Sequence, residues 1–169
     1  MSLRSAVSQY FIAAVVFLAL DLVWLGLVAQ GLYERGYITY MRTDSTRVSD
    51  DAITQVREHI AEKFGSEFVP EKPNFFSSSN KSAQEAHEAI RPTDASFSPK
   101  DAHAKLGPDE SKLYQLIWNR FIACQMPPAE FDQTTVTIAT PTKEGDAVFR
   151  ATGRKLVFDG FMKVAGVSS

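Results

Sequence analysis

Residues 37–47 read YITYMRTDSTR and put Tyr40 two positions before Arg42. If the backbone there is extended, both side chains leave the same face, because strand faces repeat every second residue. A phenol can serve both as a nucleophile and as an acceptable leaving group, the pair of properties that a reversible group transfer needs. Phenols ordinarily ionise only near about pH 10, so the site must stabilise developing negative charge. Arginine does this with a permanently charged, planar fork. Farther along, His87 opens the run HEAIRP and can donate a hydrogen bond to an oxyanion. Taken singly, these residues are ordinary. Tyr40 is then an aromatic in a short strand, Arg42 a solvated or paired charge, and His87 a helix-surface residue. Thr43, Asp44 and Ser45 are turn formers or helix-leading caps.

Composition bounds the elements that must hold these groups. The chain has 169 residues, room for one ordinary domain or two small ones. Hydrophobic residues make up 44% and charged residues 22%, which excludes a disordered chain. A net charge of −2 argues mildly against a nucleic-acid partner, although a local basic patch serves as well as a basic total. Cys124 is the only cysteine, so no internal disulfide forms, and no Cys/His cluster has zinc spacing. The triplet Asn80-Lys81-Ser82 matches a glycosylation acceptor, which matters only in a secreted chain.

Residues 11–29, FIAAVVFLALDLVWLGLVA, carry one charge, Asp21, and no Lys or Arg. A helix of that length spans roughly the 30 Å core of a bilayer, so the stretch reads as a transmembrane helix. A signal-peptide-like segment and a buried core helix are the alternatives. Arg4 lies on one side and Arg35, Arg42 and Arg47 on the other, so the charge bias leaves the orientation open. The stretch resembles the first helix of small bacterial integral membrane proteins, with their Leu-Asp-x-x-Trp-Leu-Gly pattern.

Beyond Gly31 the pattern changes. YITYM at 37–41 reads as a short strand or a tight connection. Ser49 then caps a helix with Asp50 and Asp51 in its first turn. Ile53, Val56, Ile60 and Phe64 mark its apolar face, and Gly65 ends it. Residues 66–81 read as a loop. Ser82 and Glu85 form a capping box that opens a helix running to Arg91, and 93–108 reads as loop again. Leu113, Leu116, Ile117, Phe121 and Cys124 predict a further helical face, stopped by Pro127-Pro128. Alternation then predicts strands at 135–139, 147–152 and 155–158, with Lys143–Asp146 as a turn.

Four segments, in order and at compatible spacing, resemble the type IA DNA topoisomerases. They are LYERGYITYMRTDSTRVS at 32–49, SAQEAHEAIRPTD at 82–94, KLYQLIWNRFIACQMPPAEFDQTTVTI at 112–138 and ATGRKLVFDGFMKV at 151–164. The first two are specific; the others are family-typical framework. The resemblance implies an isomerase that cuts single-stranded DNA through a 5′-phosphotyrosine, without ATP, and reseals it. It implies Tyr40 as the nucleophile, with Arg42 and His87 as catalytic partners. Arg47, Lys81 and Arg91 are then candidate DNA phosphate contacts. His59 and His103 match nothing in the family and are read as surface residues.

The resemblance also implies Mg²⁺, held by an acidic domain ahead of the tyrosine. Only thirty residues precede the match, no Asp-x-Asp pair occurs, and no residue here is read as a metal ligand. The family's downstream Gly-Arg-Pro-Ser-Thr-Tyr run is also absent. The chain is therefore expected to be an incomplete fragment, inactive alone. Ala29-Gln30-Gly31-Leu32-Tyr33-Glu34, which resembles the family's lead-in to the tyrosine, directly follows the membrane-like stretch, which suggests a chimeric reading frame.

The expected fold is mainly α with a partial antiparallel β region, α+β. Its parts are a hydrophobic helix at 1–30, a helical tyrosine-bearing domain at 31–108, and the start of a strand-rich arch at 109–169. The expected partner is single-stranded DNA, with membrane contact through 11–29 and no protein partner inferred. Localisation is cytoplasmic by family, or inner-membrane-tethered if the first helix is real. The alternative function is a single-stranded-DNA-binding or membrane-anchored remnant.

Overall fold

The computed structural model describes residues 24, 26–41, 45–76, 88–143 and 145–166. Arg42, Lys81 and His87 lie outside the described residues, as does most of the stretch 11–29. Helical backbone covers residues 26–34 (α1), and among the described residues no helix is long and apolar enough to cross a membrane. The last turn of α1 closes onto Gly36, whose φ of 74° is left-handed. The Tyr37 N–H then reaches back to the Leu32 carbonyl at 2.9 Å.

Helix α2 spans Asp50–Phe64 and follows the predicted apolar face, burying Ile53, Val56 and Ile60. Gly65 ends it at φ 112°. Ser49 stands at the N-cap with extended backbone, but its side chain makes no capping bond. His59 corrects the surface reading: it is buried, edge-on to Trp118 with ring centroids 5.9 Å apart. A helix through Arg91 is also corrected, since residues 88–91 are not helical.

Residues 93–108, expected as loop, contain a helix. Helix α3 spans Pro99–Lys105, with Pro99 in its first turn and a complete capping box between Ser98 and Asp101. Helix α4 spans Pro108–Cys124, but its buried face is rotated from the expected one. Tyr114, Trp118, Phe121 and Ile122 are buried, while Leu116 is 67% exposed. The physical reason lies in the polar tips of two aromatics. Tyr114 Oη donates to the Phe97 carbonyl at 2.8 Å, and Trp118 Nε1 donates to the Ala95 carbonyl at 2.9 Å. Both rings enter the core because their polar ends find backbone partners there. Leu32, Ile38, Val56, Ile60, Tyr114 and Ile122 form the centre of that core.

The β region is one antiparallel hairpin, β1 at Glu130–Thr142 and β2 at Gly145–Phe158. The two strands expected at 147–152 and 155–158 are one, because Gly153 stays in register opposite Thr134. The turn is shorter than expected, with Thr142 already paired to Gly145. A last turn of helix, α5 at Met162–Ala165, returns Val164 to the core. The mixed fold of helices and a small antiparallel sheet is as expected.

Candidate active site

Tyr40 follows a short run that is anchored in the core by Ile38. Exposure rises along it, from Ile38 at 1% to Tyr40 at 45%. The run is zipped to residues 89–93. Ile38 bridges antiparallel to Pro92, the Thr39 N–H donates to the Arg91 carbonyl at 2.9 Å, and the Thr93 N–H donates to the Tyr37 carbonyl at 3.1 Å. The Thr39 hydroxyl adds two bonds. It donates to the Ala89 carbonyl at 2.8 Å and accepts the Arg91 N–H at 2.9 Å. The Tyr40 ring rests edge-on against Tyr33 of α1, with centroids 5.3 Å apart.

The chain beyond Tyr40 returns to the same platform. The Ala89 N–H donates to the Arg47 carbonyl at 2.7 Å, and the Ser49 N–H donates to Glu88 Oε1 at 2.8 Å. Residues 39–49 are thus tied at both ends to residues 88–91, which directly follow His87 in sequence.

Arg91 is folded inward. Its Nε and Nη2 donate to the two oxygens of Glu88 at 2.9 and 3.0 Å, and Nη1 donates to the Pro92 carbonyl at 2.9 Å. The guanidinium also lies 6.0 Å from the Phe121 ring centre. A phosphate would have to compete with Glu88 for it. Burial alone would raise the Glu88 carboxyl, but the N–H donors of Arg91 and Ser49 outweigh burial and hold it below the usual carboxylate value. Arg47 is exposed, with its carbonyl oxygen turned to Ala89.

Of the candidate catalytic and DNA-contact residues, the structure therefore describes Tyr40, Arg47 and Arg91, all tied to one segment. Thr39, Glu88 and Tyr33 were missed. A glutamate three residues before an arginine was the one local signal for the Glu88–Arg91 pair. Ile38 and Met41, on either side of Tyr40, meet Ile90, Leu113, Leu116 and Ile117 around a groove of about 450 Å³. Leu113 and Ile117 also pack against the core, while the groove takes Leu116, which the core leaves exposed. Among the described residues, no group of three or more His, Cys, Asp or Glu could hold a metal ion.

Comparison with known proteins follows the same residues. The family pattern of DNA topoisomerase matches residues 26–169. DNA topoisomerase 1 of Haemophilus influenzae is 51% identical over 138 residues, covering 82% of this chain and 15% of the relative. DNA topoisomerase 1 of Escherichia coli is 52% identical over 141 residues, with the same shares of 82% and 15%. The solved full-length topoisomerase I of Thermotoga maritima superposes with a TM-score of 0.66 at 42% identity, covering 85% of this chain and 23% of that one. The chain thus spans about 15% of the length of these curated relatives. With its tyrosine run and its framework segments inside the matched region, the chain belongs to the DNA topoisomerase family, in its bacterial type IA branch.

Proposed function

We propose that this chain is the tyrosine-bearing part of a type IA topoisomerase, with Tyr40 as the nucleophile toward single-stranded DNA. In the step, the phenol oxygen bonds to a backbone phosphorus and the bond from that phosphorus to the 3′ oxygen breaks. The phenolic proton ends on the released 3′ hydroxyl, and the 5′ phosphate remains on Tyr40. Reversal restores the strand. One ester replaces another, so no ATP is needed. The observation that carries the reading is the exposed Tyr40 phenol on a backbone pinned by Thr39 to residues 89–91.

Arg42 and His87 complete the reading by motif, as donors to the phosphate oxygens. Arg47 and Lys81 are the proposed phosphate contacts. Arg91 joins them only by giving up Glu88. Mg²⁺ is expected in the family, but the described residues offer no donor cluster for it, and no step here passes through it. By family the chain works in the cytoplasm; a tether through 11–29 would instead hold it at the inner membrane, and fractionation of the expressed chain decides between them.

The test is a graft. Residues 31–169 replace the matching segment of the Escherichia coli relative, and relaxation of supercoiled DNA is measured with Mg²⁺. The graft is expected to relax DNA, and Tyr40→Phe in it is expected to abolish relaxation while leaving single-strand binding intact. A Tyr40→Phe graft that still relaxes DNA would refute the assignment. The ungrafted chain is expected to show no relaxation.

A further inference from the structure

The Glu88 carboxylate joins parts of the chain that are distant in sequence. One oxygen, Oε1, accepts both the Ser49 N–H at 2.8 Å and Arg91 Nε at 2.9 Å. The other, Oε2, accepts Arg91 Nη2 at 3.0 Å. The pair is mostly out of water, with side-chain exposures of 14% for Arg91 and 29% for Glu88. The third arm of the guanidinium turns back to the carbonyl of the next residue, Pro92, so the Arg91 backbone and side chain are fixed together. That same backbone exchanges hydrogen bonds with Thr39, the residue before Tyr40.

We infer that Glu88 is a positioning residue for Tyr40, acting through Arg91 and Thr39 on one side and through the Ser49 N–H on the other. This rests on reading Tyr40 as the nucleophile. Removing the carboxylate leaves a part-buried guanidinium without its anion and the Ser49 N–H without its acceptor. Polar groups left unpaired away from water are costly, so both relax by moving toward solvent and a local shift is favoured. Residues 89–92 then lose the shape that Thr39 reads, and the backbone under Tyr40 loosens. The Tyr114 and Trp118 anchors are separate from this link, because they take their partners from residues 94–97. Glu88 also neutralises Arg91, so the platform beside Tyr40 carries no net charge from this pair.

The experiment uses the full 169-residue chain in three forms: unmodified, Glu88→Ala and Glu88→Gln. Amide hydrogen exchange is followed at Thr39, Ser49 and Trp118, and binding of a fluorescent single-stranded oligonucleotide is followed by anisotropy. Glu88→Ala is expected to speed exchange at Thr39 and Ser49 by about tenfold or more, with Trp118 unchanged. Glu88→Gln keeps an acceptor oxygen for Ser49 and Arg91, so it is expected to restore most of the protection. Unchanged exchange at Thr39 in Glu88→Ala overturns the inference. So does equal acceleration at Thr39, Ser49 and Trp118, because that marks a general scaffold role. Failure of the unmodified chain to bind the oligonucleotide counts against Tyr40 as a DNA nucleophile, while the exchange pattern still decides whether Glu88 holds the Tyr40 backbone.

Discussion

Thr39 and Arg91 hydrogen-bond in both directions: the Thr39 N–H donates to the Arg91 carbonyl and the Arg91 N–H donates to the Thr39 hydroxyl, each at 2.9 Å. The hydroxyl proton goes to Ala89, so one small side chain satisfies two backbone groups of the facing segment. Thr39→Val keeps the shape and the β-branch but leaves both groups unpaired. It is expected to cost about 1–3 kcal/mol in urea unfolding, and Thr39→Ser much less. If Val and Ser cost the same, the hydroxyl is not what holds the segment.

Glu88 should make the fold acid-sensitive. Its folded value lies below the ordinary 4.5, because donation from Arg91 and Ser49 outweighs burial. A depressed carboxylate contributes its full stability above the unfolded value and loses it as the pH falls through the folded one. The stability difference between the unmodified chain and Glu88→Gln is therefore expected to be flat above about pH 5 and to shrink as acid is added below that. Asp101 and Glu110 are also held low, by Ser98 and Arg35 respectively, so only the difference between the two proteins isolates Glu88. A difference that stays constant to low pH would show that the carboxylate is not held by its partners.

Some of this was legible in the sequence. Helix α2 was, because its cap position, first-turn acids, apolar period and terminal Gly65 agree. Helix α4 was legible but out of phase, since Tyr114 and Trp118 count as half-polar until their carbonyl partners are known. Helix α3 was not, although Ser98-Pro99-Lys100-Asp101 is a full start signal; seven residues give too little periodicity to notice. Tyr40 stands out by its motif. Its supports do not, because Thr39 and its Arg91 partner lie 52 residues apart in sequence, and no local pattern encodes a contact at that range.

His59 makes a second pH effect. Burial lowers its pKa from the ordinary 6.5, helped by Lys63 and opposed by Glu62 and Asp94. For a base held neutral in the folded state, the unfolded chain takes the proton first. Stability is then full above 6.5 and falls as the pH drops below it toward the folded value. His59→Phe keeps a ring against Trp118 and removes the titration. The loss of stability between about pH 7 and pH 5 is expected to be smaller in that variant, read from urea midpoints. An unchanged slope would assign the effect to other groups.

Gly160 ties the exit of the hairpin to the body, and a side chain there should break the tie. Its φ is 48°, in the left-handed region, and it is buried. A Cβ would lie 2.5 Å from the Pro127 carbonyl oxygen and closer still to that of Pro128. Neither oxygen can retreat freely, since Pro127 already accepts the Phe161 N–H at 2.9 Å. Left-handed strain and overpacking together are expected to make Gly160→Ala cost about 2–4 kcal/mol. The loss should appear first where Val164 and Phe158 meet the core, with Phe158 parting from Phe68, whose ring lies 4.9 Å away. Amide exchange at Val164 should therefore quicken more than exchange at Ile60 in α2. If Gly160→Ala unfolds at the same urea concentration as the unmodified chain, the close approach to Pro127 and Pro128 does not anchor the hairpin.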